Sequence, residues 1–405
     1  ITSGGNYNVA LGDEAGTAIT TGDENVCIGY QAGDAITTGT QNIAIGSNAL
    51  SAEDENHYNV AIGREALQTL NGGSYNVAVG RVAGKNMTTG SQNTIIGANA
   101  GDALDEGNEN VVVGMEALTS DTLGKRTTAL GKSALNAQNF TSSTNAYNTA
   151  VGFQSGNAVT TGTLNTFVGA LSGYGTDDGA GNTAVGYLSQ GANAGNNNTS
   201  VGRYSLQNST GSNNTAIGDQ AGVSQTSGGN NLFLGKDAGF TGSPGGNITT
   251  ANNIICIGDE NITAANIQVS LTVASDQRDK TDFTPLDVGL DFVKQLNPVT
   301  YKWDKRSNYG DKSLEDYDLN AQTPDGTHKE DWLDVGFKAQ EVEALEKAAG
   351  YKIADKTNLT TTLSDDGKQY GMQYEKFIPI LVKAVQELSA KNDALEARIK
   401  KLEDG

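Results

Sequence analysis

A short phrase that ends in glycine recurs fifteen times between Asn8 and Gly258, and it constrains the fold more than any other feature of the chain. A residue that is usually Asn is followed by three small or β-branched residues and then by Gly, as in Asn8-Val9-Ala10-Leu11-Gly12. Ten of the fourteen intervals between successive closing glycines are 17 residues long. A short fixed period is the signature of stacked coils, so this part of the chain is predicted to form a rod.

The phrase itself predicts a strand with two different faces. The residues one and three places before each glycine are aliphatic or β-branched in nearly every copy and share one face, whereas the residue between them, mostly Ala, points the other way. We expect one face to line the coil interior and the other to meet a second copy of the chain around a symmetry axis. A second column of Ala or Ser, three places after the glycine, fits a crowded interior.

Three further features of the repeat carry structural expectations. The residue four places before the glycine is Asn in 13 of 15 copies and fails at Thr127 and Ile254. These amides are expected to hydrogen-bond along a ladder with a spacing of about 4.8 Å, in a rod of roughly 70 Å. Thr-Thr-Gly turns, such as the one ending at Gly22, are expected to use the open dihedral of glycine at a corner. Cys27 and Cys256 occupy the small-residue position and are expected to be buried thiols.

Composition narrows the classes of function. The chain has 52 Gly and 5 Pro without a three-residue period, which excludes collagen. Its formal net charge of −20 argues against nucleic acid and anionic lipid as partners, and no apolar stretch is long enough for membrane insertion. Nothing in the sequence predicts a cofactor or a metal site. Because the repeats begin almost at residue 1, we expect an N-terminal attachment region to precede them.

The repeat stops after Gly258, and a different kind of region follows. Ile267–Val273 alternates like one last strand. Beyond it, the pattern predicts a helix over Val288–Leu296, a strand over Val299–Trp303, and a strand leading into a helix over Gln340–Lys347. Gly becomes rarer there, and Lys, Glu, Asp and Leu become more frequent.

A final helix is predicted from about Tyr374, and it carries a heptad repeat. One seam position holds Ile378, Val385, Asn392 and Ile399, and the other holds Leu381, Leu388, Leu395 and Leu402. Four heptads with charged flanks predict a coiled coil, in which the lone Asn392 fixes the register. The heptad alone leaves two and three strands open.

The repeat resembles the head repeats of trimeric autotransporter adhesins and the shaft repeats of bacteriophage tail fibres. The adhesin head is a trimer of parallel β-rolls, so the resemblance implies a trimeric parallel β-roll or β-helix shaft of about 15 coils. It covers residues 1–262 and leaves the handedness of the coil open.

Four sequence blocks in the second region resemble another family. In chain order they are Ser275–Lys280, Leu296–Trp303, Val335–Glu343 and Tyr374-Glu375 with Leu381–Leu388. Together they are similar to the intramolecular chaperone domain of phage tailspikes, endosialidases and tail fibres, the S74 peptidase family. The resemblance implies a small α+β chaperone domain that ends in a trimeric coiled coil.

The same resemblance implies self-cleavage between Ala274 and Ser275 by a Ser–Lys dyad of Ser275 and Lys280. A serine hydroxyl needs a base to take its proton, and a lysine serves where burial or nearby cations favour its neutral form. Arg278 is a candidate to stabilise the oxyanion, and the side chains of Asp276 and Glu341 are candidates to orient the dyad.

Two departures from the family pattern and one plainer alternative accompany this assignment. Asp279 stands where a neutral residue is expected, and its negative charge favours the protonated form of Lys280. Lys338 replaces an apolar residue before Ala339. The alternative is that Ser275-Asp276 is an ordinary helix N-cap and that Lys280 is a solvated charge.

These observations divide the chain into a repeat shaft over residues 1–262, a linker strand over 263–274 with the cleavage site at its end, a chaperone domain over 275–373 and a coiled-coil helix over 374–405.

The expected protein is a homotrimeric virion tail fibre or extracellular surface fibre that attaches to a host cell-surface receptor, a glycan or a protein. Its only expected peptidase activity is self-cleavage. Two alternatives remain: a structural spacer, and a polysaccharide-degrading tailspike. The tailspike needs paired carboxylates in a groove, and the insertions at Asn139–Asn145 and Gly242–Thr250 are short.

Overall fold

A computed structural model describes residues 4–268, 270–312, 314 and 316–404. It divides the chain into two compact units. Unit 1 runs to residue 240 and includes 249–259, whereas unit 2 holds 241–248 and the described residues from 260 onward.

Unit 1 is a β-solenoid, as the repeat predicts. Its strands are Val9–Leu11 (β1), Val26–Ile28 (β2), Ile43–Ile45 (β3), Val60–Ile62 (β4), Val77–Val79 (β5), Thr94–Ile96 (β6), Val111–Val113 (β7), Gly124–Lys125 (β8), Thr128–Leu130 (β9), Thr144–Asn145 (β10), Thr149–Val151 (β11), Thr166–Val168 (β12), Thr183–Val185 (β13), Thr199–Val201 (β14), Thr215–Ile217 (β15), Leu232–Leu234 (β16) and Ile255–Ile257 (β17). Among the described residues, all of these except β8 and β10 form one 15-stranded parallel sheet in sequence order. The two short strands pair with each other beside the insertion near residue 140.

Each strand of the sheet pairs with the next at the same repeat position, as Val60 pairs with Val77. From β2 onward the middle residue is buried, and it is Ala in half of the coils. The two outer residues are partly exposed in the single chain; Ile217 and Leu234, for example, are 42% and 41% exposed. The two-faced strand is therefore confirmed, and the small-residue face is the one that lines the interior.

The Asn column forms a ladder, but most of its hydrogen bonds join a side chain to the backbone. Asn59 Oδ1 accepts the backbone N–H of Asn76 at 3.0 Å, and Asn59 Nδ2 donates to the carbonyl of Gly73 at 2.9 Å. Direct amide-to-amide bonds occur at a few steps, such as Asn76 Nδ2 to Asn59 Oδ1 at 3.2 Å. Each Asn thus satisfies backbone groups that the sharp coil would otherwise leave buried and unpaired.

Where the ladder fails at Thr127, another side chain takes over. Gln138 Nε2 donates to Thr127 Oγ1 at 3.1 Å, and Gln138 Oε1 accepts from Asn148 Nδ2 at 2.8 Å. The buried amide of Gln138 therefore bridges the coils on either side of the missing Asn.

Glycine has two separate roles in the repeat. The closing glycines adopt positive φ, as Gly63 does at 136°, and a Cβ there would lie 2.3 Å from the carbonyl oxygen of Gly80. The glycine of the Thr-Thr-Gly turn does not adopt positive φ, so the open dihedral expected at Gly22 is wrong. Gly22 is needed for close approach, since a Cβ would lie 2.3 Å from the carbonyl oxygen of Gly39.

In most coils a large apolar side chain fills the same corner of the coil from one of two positions, four or seven places after the closing glycine. Four places after the closing glycine the backbone is left-handed, and the residue is usually Gly or Leu. Gly33 leaves room for the buried side chain of Ile36 three residues later, whereas Leu50 fills that room itself and is followed by the buried carboxyl of Glu53. In most coils with Leu at the first position the partner position is polar, although Leu67 and Leu70 fill both positions of one coil.

Unit 2 has a small core of its own. Its elements are Leu290–Val293 (α1), Val299–Tyr301 (β18), Asp334–Gly336 (β19), Ala339–Ala348 (α2), Thr361–Leu363 (β20), Tyr370–Met372 (β21) and Phe377–Glu403 (α3), with 3-10 turns at Gln277–Asp279, Arg306–Asn308, Leu319–Ala321 and Tyr374–Lys376. β18 pairs with β19 and β20 with β21, both antiparallel. The core residues are Val288, Phe292, Val342, Phe377 and Ile380.

The predicted elements of unit 2 are present with shifted bounds: α2 is slightly longer than predicted, whereas α1 and β18 are shorter. The helix expected over Val288–Leu296 is only the single turn α1, because Pro298 and the strand that follows it require an extended chain. The linker strand expected over residues 263–274 is not formed in its described part, 263–268 and 270–274, and Val269 lies outside the described residues. An isolated strand has no ladder partner, which explains why these exposed residues lack regular structure. No helix of the described chain is long and apolar enough to cross a membrane.

Candidate functional site

A single 3-10 turn over Gln277–Asp279 organises the predicted dyad. Asp276 is its N-cap, and the Asp276 carboxylate accepts the backbone N–H of Arg278 at 2.9 Å. The backbone N–H of Lys280 closes the turn on the carbonyl of Gln277 at 3.2 Å. An Asp at the N-cap favours this geometry because it satisfies a donor that the turn leaves unpaired.

The turn brings the two candidate catalytic side chains together. Lys280 Nζ lies 2.5 Å from Ser275 Oγ and 3.4 Å from the carbonyl oxygen of Ser275. Two residues five apart in sequence thus form a direct hydrogen bond. A general base must be in such hydrogen-bond contact with the hydroxyl whose proton it takes.

The hydrogen bonds of the Arg278 side chain go to Asp276. Its guanidinium forms an ion pair with Asp276, with Nη2 2.6 Å from Oδ2 and Nε 3.1 Å from Oδ1. The guanidinium holds the pKa of the Asp276 carboxyl below its usual range. The structure therefore places Arg278 and Asp276 together as a brace on the turn, and the oxyanion role stays a prediction.

Glu341 belongs to a different neighbourhood. It lies on α2 and accepts a hydrogen bond from Lys338 Nζ at 2.7 Å, and this lysine lowers the pKa of the Glu341 carboxyl. Among the described residues, no hydrogen bond joins Glu341 to Ser275 or Lys280. Glu341 and Lys338 border a mostly apolar cavity of about 240 Å³ that Leu296 also lines.

The dyad is open to solvent in the single chain. Every described residue from 261 to 285 is exposed, including Ser275 and Lys280. Lysines act as bases at neutral pH where burial or nearby cations favour the neutral amine. The two candidate catalytic groups are therefore in hydrogen-bond contact, and the surroundings that would activate a lysine are not supplied by residues of the same turn.

Sequence reasoning missed two carboxylates that organise unit 2. Glu346 on α2 is 1% exposed and accepts five hydrogen bonds from residues 359–361, including Thr360 N at 2.7 Å. Glu260 is also buried and pairs with Lys312. The only sequence signal for Glu346 is a carboxylate on the apolar side of a short helix, between Val342 and Ala349.

Two solenoid carboxylates, Glu53 and Asp121, are buried. Burial raises the pKa of both Glu53 and Asp121, but they lie in different coils. Asp121 accepts hydrogen bonds from the backbone N–H groups of Gly124 and Phe140 and from Gln138. In the part of the chain that the structure describes, no three His, Cys, Asp or Glu residues cluster as metal ligands. Cys27 and Cys256 are buried, as predicted, and burial raises the pKa of the Cys27 thiol to about 11.

The combination defines a β-solenoid followed by a separate α+β unit with an exposed Ser–Lys pair at its start. Residues 275–351 match the model of a family described as chaperone of endosialidase, Peptidase_S74. The match begins at Ser275, so the resemblance of this segment is confirmed. No curated protein and no solved structure matches the chain. The likeness of the repeats to adhesin heads and tail fibres stays a prediction.

Proposed function

We propose that the chain is a homotrimeric fibre for host or surface attachment whose C-terminal region directs assembly and then cuts the chain between Ala274 and Ser275. The observation that carries the cleavage is the 2.5 Å contact between Lys280 Nζ and Ser275 Oγ at the first residue of the family match. The attachment role rests on the resemblance of the repeats, and the receptor would be a cell-surface glycan or protein.

Two exposed apolar surfaces support assembly into a trimer. The outer residues of the sheet form a stripe along unit 1, and on α3 the seam residues Leu388, Leu395 and Leu402 are 55%, 57% and 75% exposed. Contiguous exposed apolar surfaces are typical of interfaces. A second and third copy of the chain would bury both, and the heptad of α3 gives the copies a common register.

Trimerisation at α3 also answers a folding problem that the repeat creates. Fifteen similar coils offer many wrong registers within and between chains. Long-range and intermolecular contacts form slowly and leave the chain exposed to aggregation. A coiled coil that assembles first aligns three chains at one end, and cleavage afterwards leaves the shaft kinetically trapped.

The cleavage chemistry balances with one water and no cofactor. Neutral Lys280 takes the proton of Ser275 Oγ, which attacks the carbonyl carbon of Ala274. The tetrahedral intermediate collapses as the C–N bond breaks, the lysine returns the proton to the leaving amine, and an ester joins Ala274 to Ser275 Oγ. Water then hydrolyses this ester and frees the Ser275 hydroxyl. Because the dyad is exposed in one chain, we infer that packing between chains in the trimer activates Lys280, so that cleavage follows assembly.

The test is the denatured mass of freshly expressed chain beside a Ser275→Ala variant, followed over time at several protein concentrations. We expect the wild type to lose residues 275–405 and the variant to stay intact. We also expect the cleavage rate to rise steeply with concentration, with a trimer by sedimentation before the cut. An intact wild type, or equal cleavage in the variant, would contradict the proposal; a rate independent of concentration would contradict the coupling to assembly.

A further inference from the structure

Unit 2 is built from two pieces of chain that lie on opposite sides of the predicted cut. Residues 241–248 belong to it, and they are the insertion that stretches the last repeat interval to 23 residues. They and Glu260 precede Ala274, whereas α1, α2, α3 and β18–β21 follow Ser275. Contacts within unit 2 therefore connect segments that would become separate molecules after cleavage.

Polar contacts join the two pieces at several points. The Asn247 backbone N–H donates to Asp366 Oδ2 at 3.2 Å, and Lys305 Nζ donates to the Glu260 carbonyl at 2.6 Å. The Glu260 carboxylate forms an ion pair with Lys312, and the Glu260 side chain is only 5% exposed. Separating this pair would be costly, because the Glu260 carboxylate would be left buried without its partner charge.

The packing is also close enough to depend on two glycines. Gly242 and Gly246 have positive φ, and a Cβ on them would lie 2.5 Å from Ser307 Cβ and 2.7 Å from Ser364 Cβ. Ile248, at the end of the insertion, is 1% exposed. The segment thus combines buried apolar and charged side chains with a glycine backbone that packs closely against its neighbours. These are features of a specific interface.

We propose that the insertion 241–248 and Glu260 form a docking surface for the C-terminal cleavage product, which stays bound after the peptide bond is cut. The inference rests on the proposed self-cleavage. Cutting the exposed linker breaks no contact of this surface, so cleavage and release are separate steps. The partner is the product that begins at Ser275, held by a buried carboxylate–lysine pair and by the fit of Gly242 and Gly246.

The experiment uses full-length chain that has processed itself, checked by denatured mass, and then size-exclusion chromatography and native mass spectrometry. We expect the 275–405 product to co-elute with the 1–274 product. Gly246→Ala and Glu260→Gln should each weaken the association at least about tenfold on dilution. Gly326→Ala is the matched control, since Gly326 has a φ of 89° and nothing within 4 Å of its added Cβ. Immediate separation of the wild-type products would overturn the proposal. So would an association that is as tight in both variants as in the wild type.

A second preparation separates this test from the cleavage proposal. A site-specific protease sequence inserted between Asn266 and Ile267 of a Ser275→Ala chain cuts the exposed linker without self-processing. Co-elution after this cut, lost in the Gly246→Ala chain and kept in the Gly326→Ala chain, supports the docking surface whether or not the native chain cleaves itself. Immediate separation of the inserted-site products would contradict it.

Discussion

The two units satisfy their buried polar groups in different ways. In unit 1, the same pair of hydrogen bonds recurs from coil to coil: an Asn Oδ1 accepts the next backbone N–H, and its Nδ2 donates to a turn carbonyl, as at Asn59. In unit 2, the Glu346 carboxylate accepts five hydrogen bonds from residues 359–361, and this arrangement is not repeated elsewhere in the described chain. A repeated contact spreads stability along the unit and leaves its register ambiguous, whereas a unique contact fixes one arrangement.

The difference explains why a rod of this kind would need a second unit. A solenoid coil buries its groups equally well against any neighbour of the same sequence pattern, so local contacts alone do not align several chains. Unit 2 makes contacts that no shifted arrangement reproduces, and it carries the heptad of α3. Under the proposed function, the unit with the smaller core would supply the register that the larger unit lacks.

The largest single effect is expected at Glu346. Glu346→Gln keeps the shape but turns one acceptor oxygen into a donor facing the Thr360 and Thr361 donors, which should destabilise unit 2 by about 3–5 kcal/mol. Urea unfolding followed by the helical signal at 222 nm measures it. Glu341→Gln on the same helix is the control and should leave the midpoint unchanged, because Glu341 is solvent-exposed and pairs only with neighbouring polar groups. Equal effects at the two positions would show that Glu346 is not a unique fixing contact.

A smaller and more local effect is expected in the Asn ladder. Asn59→Ala leaves the buried N–H of Asn76 and the carbonyl of Gly73 without their side-chain partner, at a cost of about 2–3 kcal/mol. Amide hydrogen exchange should rise mainly in the coils next to residue 59, because coils contact only their neighbours. The control is Asn71→Ala, whose side chain is exposed. Exchange that rises uniformly through unit 1 would contradict the nearest-neighbour description.

The sequence predicts unit 1 well because its period repeats each physical constraint many times. The paired strands, the two faces, the Asn column and the buried cysteines all follow from fifteen aligned copies. The exceptions are harder, since Gln138 replaces the Asn missing at Thr127 from eleven residues away. The predicted open dihedral at Gly22 is also wrong, because a close backbone approach and an open dihedral both favour glycine, and the sequence does not distinguish them.

Unit 2 was predictable only where short motifs carry local geometry. Ser275 and Lys280 meet because one 3-10 turn separates them, so their contact depends on local structure. The roles of Arg278 and Glu341 toward the dyad stay predictions; in the structure Arg278 pairs with Asp276 and Glu341 with Lys338. The contacts of Glu260 join residues about 50 apart, and no local pattern encodes such a pair.

The smallest effect concerns an exception inside the repeat, Glu53. Its Oε1 accepts two hydrogen bonds from Asn56 at 2.8 Å, whereas Oε2 is buried without a hydrogen-bond partner among the described residues. Burial raises the pKa of this carboxyl. The folded chain therefore holds the Glu53 proton more tightly than the unfolded chain does. Stability falls as the pH rises from the unfolded pKa, about 4.3, through the folded pKa.

Glu53→Gln keeps the Oε1 contacts and removes the buried charge, so it should stabilise unit 1 by about 1 kcal/mol at pH 7. The gain should shrink as the pH falls and vanish below about pH 4, where Glu53 is protonated in both states. Thermal unfolding of both chains between pH 4 and pH 7.5 measures it, with the exposed Glu55→Gln as control. A loss of stability at neutral pH would mean that the hydrogen bonds from Asn56 to the charged Glu53 carboxylate outweigh the cost of burying its charge, so that this carboxylate, like the Asn side chains, stabilises its coil.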